Sequence, residues 1–373
     1  MAANLLAMTM TSTQIAGTTV VADCPSTLVG CAYRSDEIYV VGREKIREFA
    51  RAVQDSHPVH RSEAAGVEYG YGGLVAPLTF FAIPAFRAQL AMFDTVAGGY
   101  DLSQIMQTDQ VVNYHKPIRP GDTLTCDVGL ESFRSAFGSE LFEFKTVITD
   151  QHNTALITSR TSFVGRAGAG TATSRPGDDL VMHGFRDTAA GAGLGPRVFD
   201  KSDPCPNMLS TLEPRADGSR TRAFESVEVG QRLPPRVFSL TLGDLVNYAG
   251  VAGDPNPIHW HQEAACAVNL DAPVAHGMLT VGLGAGYLSS WLGDPGAVIE
   301  YAVRFTSPVY VTSAGAKVEF SGTVKSVDPR RRTAVVAISA QCQGRKIFGR
   351  ATAQVRLSSP EQRRSGEATT ANN

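Results

Sequence analysis

The sequence has little net charge and few charged residues. In 373 residues, 34 Lys and Arg face 36 Asp and Glu, giving a formal net charge of -2. A protein that holds nucleic acid by its phosphates needs a basic field, so this balance disfavours nucleic acid and favours a small-molecule partner. With 43% hydrophobic and 19% charged residues the composition is that of a folded chain. At about 100–200 residues per domain, we expect two domains.

Cysteines are few and show no pattern. They form no C-x-x-C pair and no grouping with histidine, so neither a zinc site nor a disulfide framework is indicated. We expect buried free thiols, no metal and no other cofactor. The six are Cys24, Cys31, Cys126, Cys205, Cys266 and Cys342.

Long apolar runs are also missing. Arg87, Asp94 and Asp294 interrupt the best candidates before they reach the roughly 18 residues of a membrane helix. Residues 1–22 carry no charged side chain, and therefore lack the basic start of a signal peptide. We expect no membrane span and a cytoplasmic location.

Changes in composition divide the chain into five parts. A stretch rich in Gly, Ala, Ser and Arg has the composition of a linker, and the last residues are polar. We predict a leader over residues 1–31, an N-terminal domain over 32–164, a linker over 165–222, a C-terminal domain over 223–357 and a flexible tail over 358–373.

The two predicted domains repeat each other. Asp55 and His60 align with Asp254 and His259 at a common offset of 199 residues. In each domain a short helical segment precedes this motif, a longer apolar segment follows it, and alternating strands close the domain. An apolar helix is buried by antiparallel strands only if the sheet curls around it, which predicts an α+β domain, twice over.

The predicted elements follow from these periodicities. The short helical segments are Arg43 to Val53 and Leu242 to Ala249, and the longer apolar segments are Leu74 to Met92 and Gly277 to Leu292. The strands are Thr123 to Leu130, Glu140 to Thr149, Ala155 to Val164, Ala316 to Val327, Thr333 to Cys342 and Lys346 to Leu357. Glycines within the second apolar segment predict a close approach of helix and sheet there.

Histidine is scarce, and it is concentrated in the two motifs. Between Asp254 and His259, two prolines fix the backbone, so that a carboxylate and an imidazole can face one point, as acid–base catalysis requires. The alternative is that Asp254 only caps a helix and His259 only packs. The five motif histidines, of eight in the chain, are His57, His60, His259, His261 and His276. Because His261 would point away from His259, a metal pair is not predicted.

A family resemblance rests on these residues. The C-terminal domain contains Tyr248-Ala-Gly-Val-Ala-Gly-Asp254-Pro-Asn256-Pro-Ile-His259 and Ala275-His276-Gly277-Met278. It resembles the MaoC-type, (R)-specific enoyl thioester hydratases of the hot-dog fold. The N-terminal domain, through residues 41–50 and 74–80, resembles the partner subunit of the two-component (3R)-hydroxyacyl-ACP dehydratase of long-chain, mycolate-type fatty-acid elongation. The chain therefore resembles a fused pair, which implies a double hot-dog fold and an intramolecular pseudo-dimer.

The resemblance also implies an activity. The expected enzyme is a hydro-lyase, a (3R)-3-hydroxyacyl thioester dehydratase or (R)-specific trans-2-enoyl thioester hydratase, acting on acyl-ACP or acyl-CoA in fatty-acid biosynthesis. Asp254 and His259 are the implied catalytic residues, and Gly277 the implied backbone donor to the thioester oxygen. Such a donor is needed because deprotonation beside a thioester places negative charge on its oxygen. Asn256 and His276 complete the implied oxyanion and substrate-binding group.

The N-terminal domain departs from this pattern. It keeps Asp55 and His60, but His57 replaces the Asn, and Pro77-Leu78 replaces His276-Gly277. Because proline has no N–H and leucine crowds the approach, we predict a degenerate second site in a half that accommodates the acyl chain.

Two alternative functions for a hot-dog protein are an acyl-thioesterase and a non-catalytic module that binds acyl thioesters. Asn256-Pro257 weighs against the first, and the intact Asp254, His259 and Gly277 weigh against the second. The sequence leaves open the acyl-chain length, the carrier, the direction of the reaction and any further homo-oligomer.

Overall fold

The computed structural model describes residues 25–35, 38–96, 105–136, 138–165, 197–199 and 220–358. The predicted leader up to residue 24, linker residues 166–196 and 200–219, and tail residues 359–373 lie outside the described residues. Among the helices of the described ranges, none has the length and apolar character needed to cross a membrane.

In the described part of the first half, three α-helices lie within a strand meander. The helices are α1 (Arg43–Ala52), α2 (Glu63–Glu68) and α3 (Ala82–Val96). The strands are β1 (Ala32–Arg34), β2 (Tyr39–Val40), β3 (Met106–Tyr114), β4 (Thr123–Ala136), β5 (Ser139–Thr149) and β6 (Ala155–Gly165), followed by β7 (Arg197–Phe199).

The second half repeats this order. Its helices are α4 (Leu242–Ala252), α5 (Gln262–Ala267) and α6 (Gly277–Leu292). Its strands are β8 (Arg232–Leu240), β9 (Val298–Phe305), β10 (Ala316–Asp328), β11 (Thr333–Cys342), β12 (Arg345–Lys346) and β13 (Phe348–Arg356).

One predicted helix begins later than expected. The apolar segment from Leu74 was predicted to be helical to Met92, but α3 begins only at Ala82. Residues 74–77 have no regular secondary structure and 78–81 form a turn, in which the Phe80 N–H donates to the Pro77 carbonyl at 2.9 Å. Pro77 has no N–H for a preceding helical turn and restricts the residue before it, so the helix does not extend back through this segment.

One antiparallel sheet runs through both halves. Its strand order is β7-β1-β4-β5-β6-β3-β9-β13-β11-β10-β8, with β2 and β12 pairing at the side. The halves meet where β3 pairs with β9, with Val111 opposite Ala302. The side chains of Asp109 and Arg304 add an ion pair of 2.7 Å across this junction. The predicted α+β fold is confirmed, and the sheet makes the two halves one unit.

The helix α6 lies at the centre of the molecule. Thirteen of its 16 residues are buried, which is typical of a helix that is apolar on all sides. At Gly284 a Cβ atom would overlap the Tyr301 hydroxyl, so the glycine lets this helix approach its own sheet. At Gly282 a Cβ atom would lie 2.8 Å from Val53 Cγ1, a residue of the other half. Thus α6 packs tightly against its own sheet on one face and against the first half on another.

Candidate active site

The loop after α4 is shaped by its own sequence. Gly253 ends the helix in the left-handed conformation, with φ 82°, and turns the chain toward Asp254. The Asn256 side chain then accepts the Ile258 N–H at 3.2 Å and caps the short 3₁₀ turn Pro257–His259. The Asn256 N–H in turn donates to Asp254 Oδ1 at 3.3 Å. Asn256 therefore stabilises the loop that presents the carboxylate and the imidazole.

Asp254 and His259 lie side by side at the end of this loop. Nδ1 of His259 lies 2.7 Å from the Val274 carbonyl, and since a carbonyl only accepts, Nδ1 carries the hydrogen. Nε2 is then the acceptor in the neutral ring, and it lies 3.8 Å from Asp254 Oδ2, beyond direct hydrogen-bond distance. The His259 side chain is 11% exposed and the Asp254 side chain 22%, so both are partly open to solvent.

The surroundings of Asp254 favour its protonated form. Burial raises the pKa of Asp254 above the usual aspartate value, although His259 and the Asn256 N–H act in the opposite direction. A carboxyl group with a raised pKa exchanges its proton closer to neutral pH, which suits a general acid or base.

His276, the residue before α6, lies behind this pair. Its ring stacks on the His259 ring with centroids 3.7 Å apart and planes inclined by 23°. Its Nε2 lies 3.2 Å from the Asp254 carbonyl oxygen. The Tyr248 ring is its other aromatic neighbour, at 4.8 Å. The side chain is buried, and burial, followed by the His259 charge, lowers the pKa of His276 well below the usual value.

Gly277 is the first residue of α6, where the backbone N–H groups have no partner within the helix. A Cβ atom at Gly277 would lie 3.1 Å from Gln107 Oε1 and 3.4 Å from Phe305 Cζ, so the position is crowded for any side chain. Gln107 belongs to β3 of the first half, and no motif in the sequence indicated it. Only the pairing of β3 with β9 brings it here.

The same side chains do not form a good metal site. Asp254, His259 and His276 offer ligand atoms within 4.8 Å of one another. However, the two rings are stacked, so their in-plane lone pairs lie in nearly parallel, separate planes and do not converge on one ion. One nitrogen of each ring also faces a backbone carbonyl. The arrangement suits proton transfer better than ligation.

The first half holds the matching pair in a sealed environment. His60 Nε2 lies 3.4 Å from Asp55 Oδ2, and the side chains are 0% and 2% exposed. The His57 N–H donates to Asp55 Oδ1 at 3.0 Å. Burial raises the pKa of Asp55, but the charge and hydrogen bond of His60 and the His57 N–H outweigh it, so the net shift is downward. At Gly286 of α6 a Cβ atom would lie 3.3 Å from Asp55 Cγ, so the helix closes this side of the pair.

The remaining motif histidines have structural contacts. His57 Nε2 lies 3.0 Å from the carbonyl oxygen of Gly293, at the end of α6, so this side chain joins the two halves. His261 caps α5 by accepting the Ala264 N–H at 3.4 Å. The structure thus brings Asp254, Asn256, His259, His276 and Gly277 together at one site, and Asp55 and His60 at another.

Comparison with known proteins agrees with the two-part organisation. Residues 27–159 match the family described as FAS1-like, dehydratase domain region, and residues 227–343 match the MaoC like domain. A UPF0336 protein of Mycobacterium tuberculosis is 40% identical over 141 residues, which are 38% of this chain and 85% of that protein. That match therefore covers less than half of this chain.

Solved structures match both halves together. A structure described as a MaoC-like dehydratase is 42% identical, covers 90% of this chain and 100% of its own, and superposes with a TM-score of 0.74. A Mycobacterium tuberculosis protein with a double hotdog fold covers 87% of this chain and 95% of its own at 12% identity and a TM-score of 0.57, which shows the fold alone. The protein is thus a double hot-dog, as the sequence predicted. More particularly, the chain belongs to the MaoC-like dehydratase family.

Proposed function

We propose that the protein is a (3R)-3-hydroxyacyl thioester dehydratase, and in reverse an (R)-specific trans-2-enoyl thioester hydratase. The observation that carries the proposal is the accessible Asp254–His259 pair beside the N-terminus of α6. Membership of the MaoC-like dehydratase family supports the reaction class. The acyl chain is proposed to be carried by acyl carrier protein or CoA, in long-chain fatty-acid elongation.

In dehydration, His259 Nε2 accepts the proton from C2 of the hydroxyacyl chain. The electron pair of that C–H bond forms the C2–C3 double bond while the C3–O bond breaks, and the protonated Asp254 carboxyl donates its proton to the leaving oxygen, releasing water. Hydration reverses each step. The raised pKa of Asp254 supports its role as the donor, since an ordinary aspartate is ionised at neutral pH.

The start of α6 is proposed to stabilise the charge that develops on the thioester oxygen. The backbone N–H of Gly277 is free of intrahelical bonds, and the absence of a side chain permits close approach. One such donor contributes about 10²–10³-fold to the rate, and a positioned acid or base about 10²–10⁴-fold.

The first half is proposed to accommodate the acyl chain rather than to catalyse. Its Asp55–His60 pair is sealed, and no helix begins at Pro77-Leu78 to provide a donor. Gln107 of this half nevertheless lies beside Gly277, with Oε1 3.1 Å from where a Cβ atom would be, so the proposed site includes residues of both halves.

The test is to incubate the protein with a trans-2-enoyl-CoA and to follow the conjugated absorbance and free thiol together. Loss of absorbance without thiol supports the proposal, whereas thiol release would indicate a thioesterase, and binding without either change a non-catalytic module. Asp254→Asn should be inactive and Asp55→Asn active. A series of chain lengths on CoA and on acyl carrier protein then defines the substrate.

A further inference from the structure

The His276 side chain has no surface with which to contact a substrate. It is 1% exposed and lies between the rings of Tyr248 and His259. A substrate-binding role, as predicted from the sequence, therefore does not fit the geometry of this side chain. Its contacts are instead with the two proposed catalytic residues.

The hydrogen bonds of His276 define its tautomer. Nε2 faces the Asp254 carbonyl oxygen at 3.2 Å, and since that oxygen can only accept, Nε2 carries the hydrogen. Nδ1 is buried and has no hydrogen-bond partner among the described residues. A second proton on Nδ1 would therefore be a buried, charged N–H without an acceptor, which is unfavourable. The ring is held in its neutral form.

Because the neutral His276 ring stacks on His259, it affects the charge that His259 takes up during catalysis. In the proposed reaction His259 becomes an imidazolium when it takes the C2 proton. The π face of a neutral ring at 3.7 Å attracts that cation, whereas a second charge there would repel it. In the proposed reaction, the proton taken from C2 therefore stays on His259 and is not shared with His276.

His276 also connects the parts of the site. It contacts His259 by stacking and the Asp254 backbone by a hydrogen bond, and it immediately precedes Gly277 at the start of α6. The first half lacks this arrangement, because Pro77 occupies the matching position and the His57 and His60 rings lie 5.8 Å apart at 59°.

We propose that His276 is a positioning residue that stays neutral, supports the protonated form of His259 by stacking, and holds the Asp254 loop at the start of α6. The proposal deepens the proposed function and rests on it for its kinetic part. It assigns His276 to neither substrate nor oxyanion binding.

Two variants separate the contributions of the ring and of its N–H. His276→Phe keeps a flat ring beneath His259 but loses the donor to the Asp254 carbonyl, and His276→Gln keeps a donor but loses the ring. Both should lower kcat about tenfold or more with KM changed less than about twofold, because the residue does not touch substrate. Only His276→Gln should move the acid limb of the pH–rate profile, to lower pH. A folded variant of either kind with wild-type kcat would overturn the proposal, and so would an acid limb that does not move in His276→Gln.

The matched control is His115→Gln, which removes a histidine that faces Thr158 Oγ1 at 2.9 Å outside the site. Its kinetics and pH profile should be those of the wild type. Equal effects of His115→Gln and His276→Gln would show that loss of any such histidine has the same result, and would overturn the positioning role.

A measurement on the resting protein separates this inference from the proposed function. Nitrogen-15 NMR of histidine-labelled protein, assigned with His276→Gln, should show His276 as the neutral Nε2–H tautomer from pH 8 to about pH 5. Protonation of His276 within that range, or the Nδ1–H tautomer, would refute the inference. If wild-type protein catalyses neither hydration nor dehydration while the NMR result stands, the proposed function fails and the neutral stacked histidine does not.

Discussion

Identical spacing places two Asp–His pairs in opposite electrostatic situations. Asp254 has a raised pKa and Asp55 a lowered one, although both precede their histidine by five positions. The difference lies in the contacts. The Asp55 carboxylate is 3.4 Å from its histidine nitrogen and receives an N–H at 3.0 Å, whereas the corresponding distances at Asp254 are 3.8 and 3.3 Å. The Asp254–His259 pair thus has the longer contacts, and its side chains are partly exposed to solvent.

Turnover should depend on one pair only. Asp254→Asn and His259→Gln should each reduce hydratase activity by about 10²–10⁴-fold on folded protein, because each removes a proton carrier. Asp55→Asn and His60→Gln should leave turnover of short substrates within a few-fold, with changes in stability or chain-length preference. Steady-state kinetics with circular dichroism as the folding control tests this, and equal losses from both pairs would reveal two working sites.

The carboxylates of Asp254 and Asp55 should affect the pH dependence of folding stability in opposite directions. The raised pKa of Asp254 means that the folded state binds this proton more tightly than the unfolded state. The ionised Asp254 carboxylate therefore destabilises the folded state at pH 7, and this cost decreases as the pH falls toward the ordinary aspartate pKa. Asp254→Asn, which removes the charge, should raise Tm at pH 7.

For Asp55 the pH dependence of folding stability has the opposite sign. Its lowered pKa contributes stability above the ordinary aspartate value, and this is lost as pH falls through the lowered value. Asp55→Ala should cost about 1–3 kcal/mol at pH 7, since it leaves the buried His57 N–H without its acceptor. Thermal unfolding of both variants between pH 7 and pH 4 measures the two trends, and a less stable Asp254→Asn at pH 7 would contradict them.

The start of α6 offers a further test. Gly277→Ala should lower activity by about 10²–10³-fold, because the methyl group obstructs the approach of the thioester to the N–H. The added Cβ would also lie 3.1 Å from Gln107 Oε1. The double variant Gly277→Ala, Gln107→Ala relieves that crowding and should regain stability without activity. Wild-type turnover in the single variant would exclude an oxyanion role for this position.

The residues of the site were only partly predictable from sequence. Asp254 and His259 lie within one short motif, so their proximity follows from local chain geometry, whereas Gly277 belongs to a second segment of the signature, 18 residues beyond His259. Gln107 is a different case, since it comes from a strand of the other half and is aligned only by the pairing of β3 with β9. The stacking of His276 on His259 depends likewise on how α6 docks, which spacing alone does not specify.

At the scale of elements, Gly284 should be required for the close approach of α6 to its sheet. Gly284→Ala would place a methyl group against the Tyr301 hydroxyl and 3.1 Å from Phe320 Cε1, which should cost about 1–3 kcal/mol. Adding Tyr301→Phe, which removes the hydroxyl, should restore part of the loss. Urea unfolding monitored by fluorescence provides the measurement.

Gly250 is the matched control. It is an exposed glycine of α4 with nothing within 4 Å of a built Cβ, so Gly250→Ala should stabilise by about 0.5–1 kcal/mol. Similar destabilisation by Gly250→Ala and Gly284→Ala would mean that close approach is not the reason for the glycine in α6.

Elements with clear periodicity were predicted well. The strand from Thr333 to Cys342 has the bounds expected from its alternation, and α1 and α4 begin where predicted. Six strands were not predicted, namely β1, β2, β3, β7, β8 and β9. Two of them form the junction between the halves, and their pairing is a long-range contact that a local pattern does not show.

At the scale of the whole molecule, the halves should stay together without the covalent connection. The shared sheet, the Asp109–Arg304 pair and the contact of Phe49 with Tyr248, with centroids 6.2 Å apart, all cross between them. We propose that limited proteolysis cuts between residues 165 and 222, where the composition is that of a linker. The nicked protein should elute as one species in size-exclusion chromatography. Two separately eluting, folded fragments would disprove the pseudo-dimer.

The packing of Gly286 beside Asp55 couples the two Asp–His pairs mechanically. A Cβ atom at Gly286 would lie 3.3 Å from Asp55 Cγ, so the helix α6 of the second half covers the carboxylate of the first. Replacing Pro77-Leu78 by His-Gly would not remove this cover, because it belongs to α6 and not to the first half. Any change that moves α6 away from Asp55 would also move Gly277, the first residue of the same helix, and with it the candidate active site.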